Sequence, residues 1–203
     1  MIGIIDYNCG NITSINNMLK HLGYDSCLIA SQKDLDKCKF LILPGVGSFD
    51  YGIRSFRASS FFEKAEEMIL KKGIPTLGIC LGMQLMTNQS QEGKEKGLGW
   101  FNLETKKFSN LGFHKIPNMG WNFIKEKNSL ELNENFNNDR FYFVHSYYVE
   151  THNDYTNYTC HYAETDYSAI ISKDNMIGVQ FHPEKSHLFG MKLLKNILES
   201  KIE

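Results

Sequence analysis

The sequence predicts an α/β protein with a central, mostly parallel sheet, helices on both faces and additional antiparallel strands. Three observations predict it. Short uninterrupted apolar runs, Ile2–Ile5, Phe40–Leu43 and Thr76–Ile79, read as strands buried on both sides. Amphipathic stretches at helical spacing alternate with them through the first half. The second half changes character: strand-like segments follow one another with only turn residues between.

The elements follow in order. Ile2–Ile5 ends in Asp6 and turn residues. Asn11 is placed to cap a helix carried by Ile12, Ile15, Leu19 and Leu22, which Gly23 closes. Cys27–Ile29 and Phe40–Leu43 read as strands, the second stopped by Pro44-Gly45. A helix runs from about Phe61 to Lys72 and ends at Gly73. Thr76–Ile79 is again a strand, followed by a helix over Leu81–Thr87. WFNLETKKF, FYFVHSYYVE, YTCHYAE, YSAIISK and MIGVQFH read as strands added to the same sheet in antiparallel or mixed fashion. Asn128–Asp139 is polar and reads as an exposed loop or short helix. Leu188–Leu198 closes the chain as a helix. No repeat or linker divides it, so residues 1–203 are expected to form a single domain.

Composition narrows the function. A net charge of -1 carries no basic field for nucleic acid. No apolar run is long enough for a bilayer, and the N-terminus lacks a signal-like pattern, so a cytoplasmic location is expected. The five cysteines, Cys9, Cys27, Cys38, Cys80 and Cys160, are odd in number, scattered and free of CxxC pairs. That argues against a disulfide framework and a structural zinc site; no metal or cofactor is expected. The default reading of each is a small buried apolar residue.

Cys80 has a different context. It lies between a buried strand and a helix in GICLG, with Gly78 and Gly82 two residues to either side. A nucleophile elbow has this form: a sharp turn lifts the side chain above the sheet edge, and glycines admit the close backbone approach. The helix start favours a thiolate, and the Leu81 N–H is placed to meet an oxyanion. Gln84 lies one helical turn on. GxCxG alone fits a core cysteine in a packing turn equally well.

A nucleophilic thiol needs a proton partner. His182 in GVQFHPE follows the strand that ends at Phe181. Pro183 biases it towards extended backbone, and Glu184 is near enough to orient the ring. The alternatives are an ordinary strand-end histidine or a metal pair, for which no further ligands accompany it. PGVGSF, residues 44 to 49, lacks the Gly-Lys-Ser/Thr of a phosphate loop. Its glycines give Val46 a backbone free to turn its N–H to an oxyanion, or simply form a tight turn.

Together PGVGSF, GICLGMQ, IPNMGWN, FVHSYY and GVQFHPEKS carry a resemblance, in order and spacing over nearly the whole chain. The sequence resembles the class I, triad-type glutamine amidotransferases, whose fold is flavodoxin-like. IPNMGWN narrows the resemblance to the glutaminase subunits of imidazole glycerol phosphate synthase. The resemblance implies that Cys80 attacks the carboxamide of L-glutamine, His182 moves the proton and Glu184 orients His182. It places the oxyanion hole at Val46 and Leu81, and glutamine contacts at Gly47, Gln84, Glu92, His145, Ser146 and Tyr147. Ammonia would pass to a TIM-barrel cyclase partner in a heterodimer, for imidazole glycerol phosphate synthesis in the histidine pathway. Asn11, Asn118, Met119, Trp121, Asn122 and Lys185 match positions at or near that interface. One departure stands out: the family commonly has Pro-His-Met-Gly-Trp where this chain has Pro117-Asn118-Met119-Gly120-Trp121. Related subunits instead supply ammonia for amidino-sugar synthesis, a second reading. A stand-alone cysteine hydrolase and an inactive scaffold are further alternatives, the latter at odds with an intact Cys, His and Glu.

Overall fold

A computed structural model describes residues 1–109 and 114–202. The first half runs β1 (Ile2–Ile5), α1 (Ile12–His21), β2 (Ser26–Ile29), α2 (Gln32–Leu35), β3 (Phe40–Leu43), α3 (Phe49–Arg57), α4 (Phe62–Leu70), β4 (Thr76–Ile79) and α5 (Leu81–Leu85). The second half runs β5 (Gln89–Ser90), β6 (Glu104–Lys107), β7 (Asn118–Phe123), β8 (Lys125–Glu126), β9 (Arg140–His145), β10 (Tyr147–Val149), β11 (Thr156–Tyr162), β12 (Thr165–Lys173), β13 (Met176–Val179) and α6 (His187–Ile202).

Eight strands form the main sheet in the order β2-β1-β3-β4-β13-β12-β11-β8. The first five are mutually parallel; β12, β11 and β8 join antiparallel. Successive side chains of a strand point to opposite faces, and here both faces are covered. Ile2, Ile4, Phe40, Ile42, Leu77 and Ile79 enter one core with α1 and α6. Ile5, Leu41 and Leu43 enter the other with α3, α4 and α5. That two-sided burial is why these strands read as continuous apolar runs.

Two of the expected strand regions do not join the main sheet. FYFVHSYYVE splits at Ser146. β9 pairs with β7 in a two-stranded ribbon, and β10 pairs with β6 in a small three-stranded sheet with β5. Of WFNLETKKF only Glu104–Lys107 is strand. Asn128–Asp139 is loop, pinned by the fully buried Phe136.

Asn11 precedes α1 but makes no side-chain cap; the helix does close as expected, with Gly23 N–H on Lys20 O and Tyr24 N–H on Leu19 O. α3 was not anticipated. Phe49, Ile53 and Phe56 bury one of its faces, at the spacing a helix requires.

Candidate active site

The parallel strands β1, β3, β4 and β13 end on one edge, and the site is built there. β4 and β13 pair in register, Ile79 opposite Val179, and the Cys80 N–H donates to Val179 O at 2.8 Å. The residues that follow each strand, Cys80 and Gln180, are therefore neighbours. β3 adds Pro44-Gly45-Val46 on the other side of β4.

Cys80 has φ 52° and ψ -108°, a left-handed, strained backbone for a non-glycine residue. The turn is possible because its flanks lack side chains. A Cβ on Gly82 would lie 1.9 Å from Leu43 O; one on Gly78 would meet the Met83 nitrogen at 2.9 Å. The thiol is held at the mouth of the strand, only 6% exposed.

His182 has the extended backbone that Pro183 dictates, φ -106° and ψ 98°. Its Nδ1–H donates to Glu184 Oε1 at 2.9 Å, both side chains being almost wholly buried. Nε2 is buried without a protein hydrogen-bond partner and is left for the sulfur or a substrate. Burial alone would lower the imidazole pKa. The Cys80 sulfur, and then Glu184, oppose this and lift it to about 10.

A cavity of about 670 Å³ opens over these groups. Cys80, His182, Val46, Leu81, Gly47, Gln84, Glu92, His145, Ser146 and Tyr147 all line it, with Asn11 and Lys185 at its wall. Glu184 stands behind His182. Tyr7 donates its phenol to Pro44 O beneath the Pro44–Val46 segment. Glu92 accepts the Phe49 N–H at 2.9 Å and so caps α3, while Asp50 accepts the N–H groups of Lys94 and Glu95. Burial raises the Glu92 pKa, and the Phe49 N–H partly opposes it.

Four of the expected interface residues lie outside the cavity, on β7. The strand alternates: Met119 and Trp121 face outwards together with Phe123, 62%, 40% and 61% exposed, while Asn118 is buried and Asn122 half-buried. Asn118 therefore corrects the surface reading; it lies under the strand at 1% exposure. Its Nδ2 donates to His145 Nε2 at 3.2 Å and to the Tyr167 hydroxyl at 3.0 Å, and its Oδ1 accepts from Asn122 at 3.0 Å. Burial holds the His145 pKa down at about 4, against the Tyr147 carbonyl and ahead of repulsion from His182, so that ring is neutral.

One residue escaped the sequence reading. Gln180, fully buried, points Nε2 at Cys80 Sγ from 3.8 Å. Its only local signal is a polar residue between two apolar ones at a strand end; its placement depends on the β4–β13 register. Among the described residues no group of three or more His, Cys, Asp or Glu could hold a metal, and no helix is long and apolar enough to cross a membrane.

Known proteins are similar to this chain over nearly its whole length. The family described as "Glutamine amidotransferase class-I" matches residues 3–200. "Imidazole glycerol phosphate synthase subunit HisH 2" of Methanococcus maripaludis is 45% identical over 98% of this chain and 99% of its own. The Pseudomonas aeruginosa protein of the same name is 42% identical over 98% and 99%. The fold is shared with a structure entitled "Crystal structure of glutamine amidotransferase", at TM-score 0.76 and 15% identity over 98% of both chains. It is shared as well with PurLQS from Thermotoga maritima, at TM-score 0.72 and 19% identity over 99% and 96%.

Proposed function

This chain belongs to the class I glutamine amidotransferases, and from that premise we propose that Cys80, His182 and Glu184 are the triad of an imidazole glycerol phosphate synthase glutaminase subunit. The observation that carries the reading is a strained cysteine and a buried His–Glu pair facing one cavity.

The chemistry follows from the groups present. The thiol proton resides on His182 Nε2, and the Cys80 sulfur adds to the side-chain carboxamide carbon of glutamine. The oxyanion is met by the N–H groups of Val46 and Leu81. His182 gives its proton to the departing nitrogen, the C–N bond breaks and ammonia leaves a glutamyl thioester. Water then adds, losing its proton to His182, and the C–S bond breaks to release glutamate. Gly47, Gln84, Glu92, Ser146 and Tyr147 shape the substrate cavity; Glu184 holds the His182 tautomer. Free ammonia at neutral pH is mostly protonated and no nucleophile, so release must be coupled to an acceptor. A cyclase subunit of TIM-barrel type is the proposed partner, docking on the face formed by Met119, Trp121 and the ends of α1 and β13 near Asn11 and Lys185. The reaction belongs in the cytoplasm with its nucleotide substrates.

The test is glutamate release from glutamine, measured alone and with the cyclase subunit and its nucleotide ligand. Stimulation by the partner is expected. Cys80→Ala should abolish hydrolysis without unfolding the chain, while synthesis from added ammonia by the complex survives. Glutamate release at the original rate by Cys80→Ala would defeat the triad. A folded chain that binds glutamine but is not stimulated would move it to the amidino-sugar relatives.

A further inference from the structure

A continuous chain of hydrogen bonds joins the outer strand β7 to the nucleophile, and every bond in it has a fixed direction. The Tyr147 carbonyl sets them all, because a carbonyl only accepts. It takes the His145 Nδ1–H at 2.8 Å and the Gln84 Nε2–H at 2.9 Å. His145 is thereby the Nδ1–H tautomer, and its Nε2 must accept. Asn118 answers with Nδ2, which leaves Oδ1 to accept from Asn122. In the other direction, Gln84 Nε2 also meets Gln180 Oε1 at 3.1 Å, so the Gln180 Nε2–H groups must face the Cys80 sulfur. Neither amide is free to flip.

We propose that Gln180 is a further catalytic residue: its carboxamide N–H donates to the Cys80 sulfur and stabilises the thiolate, and the Asn118–His145–Tyr147–Gln84 chain fixes the direction of that N–H. The proposal deepens the glutaminase reading and rests on it. No bond is made or broken at Gln180. The thiol proton goes to His182 Nε2, and the sulfur is left with two donors, the imidazolium and the amide. The 3.8 Å separation is long, as catalytic contacts often are before substrate binds. The sulfur also lies 4.0 Å from the Val144 carbonyl, which can accept from a thiol but offers nothing to a thiolate. An N–H aimed at the sulfur therefore biases it towards the charged form. Asn118 has the valence this arrangement needs: two donors, for His145 and Tyr167, and one acceptor for Asn122. A neutral imidazole at that position has one donor and one acceptor and cannot make all three bonds.

The experiment reads the sulfur directly. The rate of Cys80 alkylation by iodoacetamide is followed against pH in the full chain without glutamine, with circular dichroism to confirm folding. The titratable groups facing this sulfur are His182 with Glu184 behind it, Tyr7, and Glu92, His145 and Lys185 around the cavity. Gln180→Glu keeps the shape and the acceptor for Gln84 but removes the N–H donors. Its alkylation profile should move to higher pH by about one unit or more, and Gln180→Met should move it less. In steady state, kcat for glutamine should fall about tenfold with KM within about twofold. Asn118→Leu should move the profile in the same direction. Profiles of folded Gln180→Glu and Gln180→Met that superimpose on the wild type would overturn the assignment, and an unmoved Asn118→Leu would overturn the chain's part in it. Should wild-type protein release no glutamate while the Gln180 profiles still shift, the glutaminase reading fails and the thiolate contact stands.

Discussion

His145 is fixed more completely than any other ionisable side chain around the site. It is buried, one nitrogen is committed to a carbonyl and the other to an amide donor. Burial, and after it repulsion from His182, holds its pKa near 4, and an added proton would also break the Asn118 bond. The unfolded chain protonates the same ring near its ordinary value of 6.5. Above that value both states are neutral. As pH falls through it, the unfolded state takes up a proton that the folded state refuses, and stability is lost. The loss should reach on the order of 2 kcal/mol by pH 5. Urea titrations at pH 7 and 5 measure it. Asn118→Asp places an acceptor at Nε2, invites the second proton and should remove most of that difference. His182 carries the opposite sign, its pKa lifted by Cys80 and Glu184. Glu184→Gln removes the charge while keeping an acceptor, and should lower kcat roughly ten- to a hundredfold with little change in KM. Unchanged kcat in that variant would leave Glu184 no part in orienting the imidazole.

The elbow between β4 and α5 has a single residue, Cys80, between strand and helix. Its glycines are not spacers; each sits where a methyl group would overlap backbone. Gly82→Ala drives a Cβ into Leu43 O and should destabilise the fold by at least about 3 kcal/mol or displace the Pro44–Val46 segment. Chemical denaturation and residual glutaminase activity distinguish these two results. This element was legible in the sequence because strand, nucleophile and glycines are contiguous. The His182–Glu184 contact was legible because Pro183 and Glu184 adjoin His182. α3 carried the same kind of signal in Phe49, Ile53 and Phe56, obscured by Gly52 and by the glycine-rich segment before it. β7 was not anticipated as a strand, although its period of two separates Asn118, Gly120 and Asn122 from Met119, Trp121 and Phe123. Read as a motif, it put Asn118 with Met119, Trp121 and Asn122 at the partner-facing surface. Gln180 was not legible from neighbouring residues. What it touches is 100 residues away and is reached only through strand pairing.

Across the whole molecule the exposed apolar groups are unevenly placed. Met119, Trp121 and Phe123 stand together on β7, which pairs on one side only, with β9. Trp121 is stacked on His187 at 5.7 Å and lies under the Arg140 guanidinium, so the ring is held in place while remaining exposed. Preorganised aromatic groups of this kind lose little freedom on docking. Trp121→Ala with Phe123→Ala should leave basal glutaminase activity within about twofold and weaken cyclase binding by about two orders of magnitude or more. Analytical ultracentrifugation of the mixed subunits tests this; an undiminished complex would remove β7 from the docking face.

The in-register pairing of β4 with β13 carries a consequence for how this chain can vary in length. The proposed nucleophile and base follow two different, adjacent strands. Each sits at a fixed count from a paired residue, Cys80 one past Ile79 and His182 three past Val179. One residue inserted into Thr76–Ile79 or Met176–Val179 would shift one of them by about 3.3 Å and turn its side chain to the opposite face. Insertions in the turns at Asn153–Asp154 or Ala163–Glu164 leave that count untouched. Length variation among active forms of this enzyme is therefore expected outside these two short strands, which act as its ruler.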